Sequence, residues 1–332
     1  MQATEGFSFV AQPDLNEVSR FICDIWQRPC WNYDAGLLAS HIMRPSGDPS
    51  LAIGQVATNG ALASFQAYMP FRVQYAGAEY QAVFASFLTV SPEYQGKGLA
   101  RSQQQALIDK AVDKGYDLYI TMCENGAPSN NSVKKAFKLK GLEATMVKTF
   151  KYLAGVNELI KPLLPAQSSA RTQSYRKTDK PRLMDVVARV GDGTALRKLI
   201  PETDIDFIFL ERPHTKTFVY ERDGAAVGFT NVLLLEVLDT ENKLNVYFDN
   251  VYFGDLSAAE RQEFLGDVLV QLQATNFSTA FLPDIGYVAT DAFRYFRFRT
   301  APRELNLYIA PLKPNIVPNG VHPIESFYLD VY

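Results

Sequence analysis

The feature that most constrains this chain is the run Phe84-Ala85-Ser86-Phe87-Leu88-Thr89-Val90-Ser91-Pro92-Glu93-Tyr94-Gln95-Gly96-Lys97-Gly98-Leu99-Ala100-Arg101. An apolar strand runs into a turn with two glycines. The turn opens a helix whose apolar stripe is Leu107, Ile108, Ala111 and Val112, with Gln103, Gln104, Lys110 and Asp113 directed away from it. The first N–H groups of a helix lack intrahelical partners and can face an anion. Glycines at 96 and 98 let a diphosphate approach the backbone without a Cβ in the way, and Lys97 and Arg101 add positive charge. A glycine-bearing turn can also serve turning alone, so the reading depends on the surrounding chain.

Elements on either side follow a definite order. Pro13 to Gln27 places Leu15, Val18, Phe21, Ile22 and Ile25 at helical spacing and predicts an amphipathic helix. Leu51 to Val56 and Leu62 to Tyr68 flank Asn59-Gly60, a favoured hairpin pair, and Phe71 to Tyr75 leads through Gly77 into Tyr80 to Val90, which predicts an antiparallel meander. Leu118 to Met122 reads as a strand, Pro128 and Ser129 as a helix start, and Ala144 to Tyr152 as a strand. Between 161 and 181 Pro, Ser, Gln and basic residues predict an exposed linker. Beyond it, strands over Thr217 to Arg222, Val227 to Leu235 and Asn245 to Phe253 precede a helix opened by Ser257 and Glu260 at capping-box spacing. A strand at Thr279 to Leu282, a helix at Thr290 to Arg297 and a strand at Leu305 to Ala310 complete an order that parallels residues 51 to 152. The expectation is an α+β chain with domains at 1–160 and 182–332, each a mixed, mostly antiparallel twisted sheet flanked by helices.

Gln95-x-x-Gly98-x-Ala100 resembles the GNAT superfamily's acyl-CoA signature, Arg/Gln-x-x-Gly-x-Gly/Ala, at its usual place after the fourth strand. Asn130-Asn131-Ser132-Val133-Lys134-Lys135-Ala136-Phe137 is similar to that superfamily's later helix, which runs from an Asn to an aromatic residue. The resemblance implies two tandem GNAT-like domains, the first holding acyl-CoA and a degenerate second binding an acceptor. The donor-binding residues it implies are Leu88, Val90, Gln95, Gly96, Lys97, Gly98, Leu99, Ala100, Arg101, Asn130 and Phe137. Two such halves, only the first with the signature, resemble the N-myristoyltransferase family. Phe87-Leu88-Thr89-Val90 is similar to that family's Phe-Leu-Cys-Val strand, and Val246-Tyr247-Phe248-Asp249-Asn250-Val251 resembles a strand of its second half.

In function, the resemblance implies transfer of an acyl group, acetyl or long-chain fatty, from acyl-CoA to a primary amine of a peptide, a lysine side chain or a small metabolite. The backbone amides of Phe87 and Leu88 would polarise the thioester carbonyl, and one such donor is worth about 3 kcal/mol of barrier. A carboxylate near the thioester could hold the acceptor's ammonium and then take its proton, directly or through water. Glu124, Asp249 and the carboxylate of Tyr332 are the candidates, each equally readable as a solvated, hydrogen-bonded or docked structural group. Where the superfamily often has a Tyr that protonates the thiolate, this chain has Phe137, which lacks a hydroxyl. That difference keeps open a non-catalytic CoA-binding sensor or scaffold. An aminoacyl-tRNA-dependent transferase would dispense with the intact 95–100 loop.

Composition narrows the rest. With 332 residues and 47% hydrophobic content the chain can bury a large core, and its net charge of -3 gives no global basic field for nucleic acid. Three cysteines, Cys23, Cys30 and Cys123, have no metal-type spacing, and His41, His214 and His322 are scattered, so no metal is expected. Neither a basic-then-apolar leader nor a membrane-length apolar run is visible, and the expectation is a soluble, cytoplasmic protein. The residues do not indicate an oligomeric state.

Overall fold

A computed structural model describes residues 4–330. The chain forms two compact units: the residues up to Thr149 together with Glu304–Ile324, and Phe150–Arg303 together with the residues from Glu325 onward. In chain order the first part carries β1 (Phe7–Ala11), α1 (Leu15–Ile25), β2 (Cys30–Trp31), α2 (Ala35–Ile42), β3 (Ala52–Ala57), β4 (Leu62–Tyr75), β5 (Ala78–Val90), α3 (Leu99–Asp113), β6 (Leu118–Glu124), α4 (Pro128–Leu139) and β7 (Thr145–Val156). Next come α5 (Asn157–Ile160), β8 (Thr172–Ser174), α6 (Lys180–Val187), β9 (Leu196–Leu199), α7 (Glu202–Asp206), β10 (Thr215–Arg222), β11 (Ala225–Leu238) and β12 (Lys243–Tyr252). The chain closes with α8 (Ala258–Leu272), β13 (Thr279–Asp284), α9 (Asp291–Tyr295), β14 (Arg299–Pro311) and β15 (Phe327–Tyr328).

In the first unit β1, β3, β4 and β5 pair antiparallel in that order, β6 joins β5 in parallel, and the distant β14 closes the sheet antiparallel to β6, with Leu305 opposite Glu124 and Pro311 opposite Leu118. β4 is one strand rather than the two segments expected on either side of Pro70. Pro70 lies opposite Val83 of β5 and beyond the β3 ladder, which covers only Leu62–Ala67, and Arg44 donates to its carbonyl. The second unit repeats the pattern: β8, β10, β11 and β12 are antiparallel, β13 joins β12 in parallel, and β7 closes against β13 from Lys151 to Val156. In each unit the strands are thus mixed and mostly antiparallel, and each unit takes in one strand far away in sequence.

Residues 161–181 differ from the expected linker. Their strand β8 pairs with Thr172 opposite Tyr220, Thr172 and Asp179 are buried, and Asp267 of α8 accepts hydrogen bonds from Ser169 and Thr172. The polar composition reflects these bonds to the unit's own core elements. The core of the first unit lies under α3 and α4, where Leu107, Ile108, Val133 and Phe137 pack on Ile53, Tyr68, Val83 and Tyr119 of the sheet. The corresponding core of the second unit sets Phe264, Leu265, Val268 and Leu269 of α8 against Val232, Val246 and Phe248. Among the described residues no helix is long and apolar enough to cross a membrane.

Candidate functional site

The run from Phe84 to Arg101 folds as a strand, a short 3-10 turn at Pro92–Tyr94 and α3. Gly96 and Gly98 both take φ near +80°, a left-handed geometry that favours glycine, and a Cβ built on either meets nothing within 4 Å. Gly98 is the N-cap of α3 and no side chain caps the helix. The loop from Gln95 to Gly98 is exposed, Lys97 places its ammonium 5.1 Å from the Tyr94 ring, and Arg101 projects from the first helical turn. An uncapped helix start, open space over two glycines and two cations are what an anion would meet here.

The equivalent helix of the second unit is closed. Ser257 and Glu260 form a full capping box at the start of α8, so a carboxylate of the chain itself occupies that N-terminus, and Arg222 in turn holds Glu260. At the start of α3 no side chain of the chain takes that place.

Buried amides fix α3 in place. Gln55 of β3 donates to the Leu99 carbonyl at 3.0 Å and to Ser64 at 2.9 Å, Ser64 donates to Gln103, and Gln103 donates to the Ile53 carbonyl at 2.7 Å. This corrects the reading of α3: Gln103 and Gln104 face inward and are fully buried, whereas Val112, assigned to the apolar stripe, is 37% exposed. Partners on β3 and β4 compensate the burial of the polar Gln103, which an apolar-stripe argument cannot foresee.

The parallel pairing of β5 with β6 ends at Ala85 opposite Thr121, so the strands part beyond that point and the β6-facing edge of Ser86–Val90 leaves the ladder. There β5 also bulges against β4, the register moving between Phe65 opposite Thr89 and Ala67 opposite Ser86. Phe87 lies within this irregularity with φ +61°, a left-handed conformation that costs a bulky residue roughly 1–3 kcal/mol. Its ring is buried between Tyr33, 5.2 Å away edge-on, and His41, 5.8 Å away. Phe87, Leu88 and Val90 lie on β5 beyond the point where the two strands part, and exposed Glu124 ends β6. Sequence reasoning missed α2, which brings His41 here; its signal was Asp34, whose carboxylate accepts from the Leu37 N–H, followed by the helical spacing of Leu37, Leu38 and Ile42.

Two further expected site residues, Phe137 and Asp249, are buried. Phe137 is 1% exposed and packs against Tyr119 at 4.6 Å in the core, so its place is structural. Asn130 belongs to α4, its side chain outside the described residues, and Tyr332 also lies outside them. Asp249 is in the second unit, buried, with Oδ2 accepting from Arg212 at 2.5 Å and from Asn250 at 3.0 Å. Burial pushes its carboxyl above the usual carboxylate value against the pull of Arg212. β12 parts from β13 after Tyr247 and bulges at Asp249, as β5 does at Phe87, but here the gap is filled: Tyr287 accepts from the Val251 N–H, Tyr328 donates to Asn250, and the Phe327 N–H donates to the Ile285 carbonyl. Lys198 and Asp330 pair beside it. Asp249 is thus buried among these bonds, with its Oδ1 making no hydrogen bond to the described residues.

Cys123 is buried in the core, and burial pushes the thiols of Cys23 and Cys30 up, so none is an activated nucleophile. Among the described residues no three His, Cys, Asp or Glu side chains gather to hold a metal.

A parted mixed sheet with an uncapped glycine turn at the opened strand defines a GNAT-like fold of the N-myristoyltransferase kind. Three solved structures of Saccharomyces cerevisiae N-myristoyltransferase bear this out. One with bound myristoyl-CoA superposes with a TM-score of 0.79 at 14% identity, covering 98% of this chain and 88% of that one. A second with myristoyl-CoA gives 0.79 at 13%, over 98% and 84%. A third, with myristoyl-CoA and inhibitors, gives 0.78 at 14%, over 98% and 86%. The sequence itself matches no family model and no curated protein.

Proposed function

We propose that this chain is an acyl-CoA-dependent N-acyltransferase that moves a long-chain fatty acyl group to the primary amine of a peptide or protein. The observation that carries the reading is the contrast between the two helix starts: α3 opens on Gly98 with no capping side chain, and its counterpart α8 is sealed by Ser257 and Glu260. The myristoyl-CoA bound in the similar yeast enzyme supports a long acyl chain.

On this reading the diphosphate lies on Gln95–Ala100 with Lys97, Arg101 and Asn130 beside it, and pantetheine follows the β5 edge past Val90 and Leu88. The thioester carbonyl accepts from the Phe87 and Leu88 amides. The neutral amine attacks the carbonyl carbon, the C–N bond forms, and collapse of the tetrahedral intermediate expels the CoA thiolate. Glu124, exposed at the end of β6, takes the proton that the amine loses. Phe137 supplies no proton, so water protonates the thiolate. A second reading, a CoA-binding scaffold without turnover, draws on that same buried Phe137.

Thermal unfolding with CoA, acetyl-CoA and palmitoyl-CoA tests the donor site, since a ligand of the native state alone stabilises by RT ln(1 + [L]/Kd). The expected order is palmitoyl-CoA above the other two. No shift with any of them would remove the donor site.

A further inference from the structure

The strained turn at Phe87 is held by two side chains outside the reacting groups. The Trp26 indole N–H donates to the Thr89 Oγ at 2.8 Å, and the Thr89 hydroxyl donates to the Phe87 carbonyl at 3.1 Å. Thr89 is buried and accepts from one neighbour while donating to the other, which fixes the direction of its only proton. Trp26 is itself anchored, its backbone N–H closing α1 on the Ile22 carbonyl and its ring edge-on to Tyr33 at 5.4 Å. Tyr33 then meets the Phe87 ring, so the relay and the ring packing converge on one residue.

We propose that Trp26 and Thr89 are positioning residues for acyl transfer: their hydrogen-bonded relay holds the Phe87 carbonyl and so keeps the following peptide, whose N–H belongs to Leu88, turned toward the thioester. The carbonyl of Phe87 and the N–H of Leu88 share one planar peptide group, so fixing the oxygen fixes the donor on its far side. A hydrogen-bond donor must already point at the oxyanion for its full effect, and a residue at positive φ relaxes unless its surroundings determine it. The inference rests on the donor-site reading above.

The test uses palmitoyl-CoA carrying 13C at the thioester carbonyl, bound to the full chain and followed by infrared spectroscopy, together with steady-state transfer to an amine-bearing peptide. In the wild type the bound carbonyl band lies below its free-solution frequency. Thr89→Val, which keeps the shape and removes the hydroxyl, should lose most of that displacement and about tenfold in kcat, the worth of one hydrogen bond, with KM for palmitoyl-CoA unchanged. Thr89→Ser should restore both. Trp26→Phe, which frees the Thr89 hydroxyl to turn, should fall between and serves if Thr89→Val does not fold. A Thr89→Val protein with wild-type band and kcat overturns the proposal, as does a Thr89→Ser protein impaired as much as Thr89→Val. A wild type that binds no palmitoyl-CoA overturns the donor site itself, an outcome distinct from the other two.

Discussion

Gly98 faces two separate demands, one from backbone geometry and one from a ligand. At φ +84° any L side chain costs roughly 1–2 kcal/mol, so Gly98→Ala and Gly98→Glu should unfold at similarly lowered temperatures. Only Glu carries a carboxylate into the open space at the helix start. Palmitoyl-CoA should therefore still stabilise the Ala variant and give no shift with the Glu variant; equal losses in both would show that conformation alone matters there. The glycine loop was legible in the sequence because its turn, cations and helix are contiguous. Gln55, Trp26 and Thr89 were not, since their decisive partners are remote: Gln55 meets Leu99 across 44 residues and Trp26 meets Thr89 across 63. The partner of Asp249 was hidden for a related reason, because nothing near it in sequence announces its ion pair with Arg212.

At the scale of elements, periodicity located α1, α3 and α8 but not α2, α6 or α7, and capping chemistry found the start of α8 at Ser257 and Glu260. It failed where polar groups are buried, on α3, and where one strand runs through a proline, on β4. Helices α8 and α9 are clipped by Arg261, which donates to both oxygens of Asp291 and to the Leu256 carbonyl. This hydrogen bonding holds the Asp291 carboxyl below its ordinary value of 3.8. The unfolded chain then takes up the proton first, so the contribution is complete above the ordinary carboxylate value and fades as pH falls through the lower folded one. With Asp291 40% exposed, solvent limits it to about 1 kcal/mol or less. Urea titrations below about pH 4 should show a shallower loss of stability with acid for Asp291→Asn than for wild type; identical slopes would mean that the pair contributes nothing.

For the whole molecule, the order of elements was readable and the membership of the closing strands was not. Strand pairing across a long chain leaves no local trace, and β14, read as the end of the second half, completes the first unit's sheet on β6. A fragment of residues 1–160 lacks that strand and exposes the β6 edge, so it should show no cooperative unfolding transition and should aggregate, where the full chain unfolds cooperatively. A soluble, cooperatively unfolding fragment would contradict this assignment of β14. The central claim concerns catalysis, and mass spectrometry of a reaction containing the full chain, palmitoyl-CoA and a peptide with a free amine tests it most directly. One acyl-peptide should form per CoA released, with Glu124→Gln slowed at least about a hundredfold at unchanged palmitoyl-CoA affinity. Tight palmitoyl-CoA binding with no acylated peptide, across a panel of amino-terminal and lysine acceptors, would contradict the claim and leave a CoA-binding scaffold.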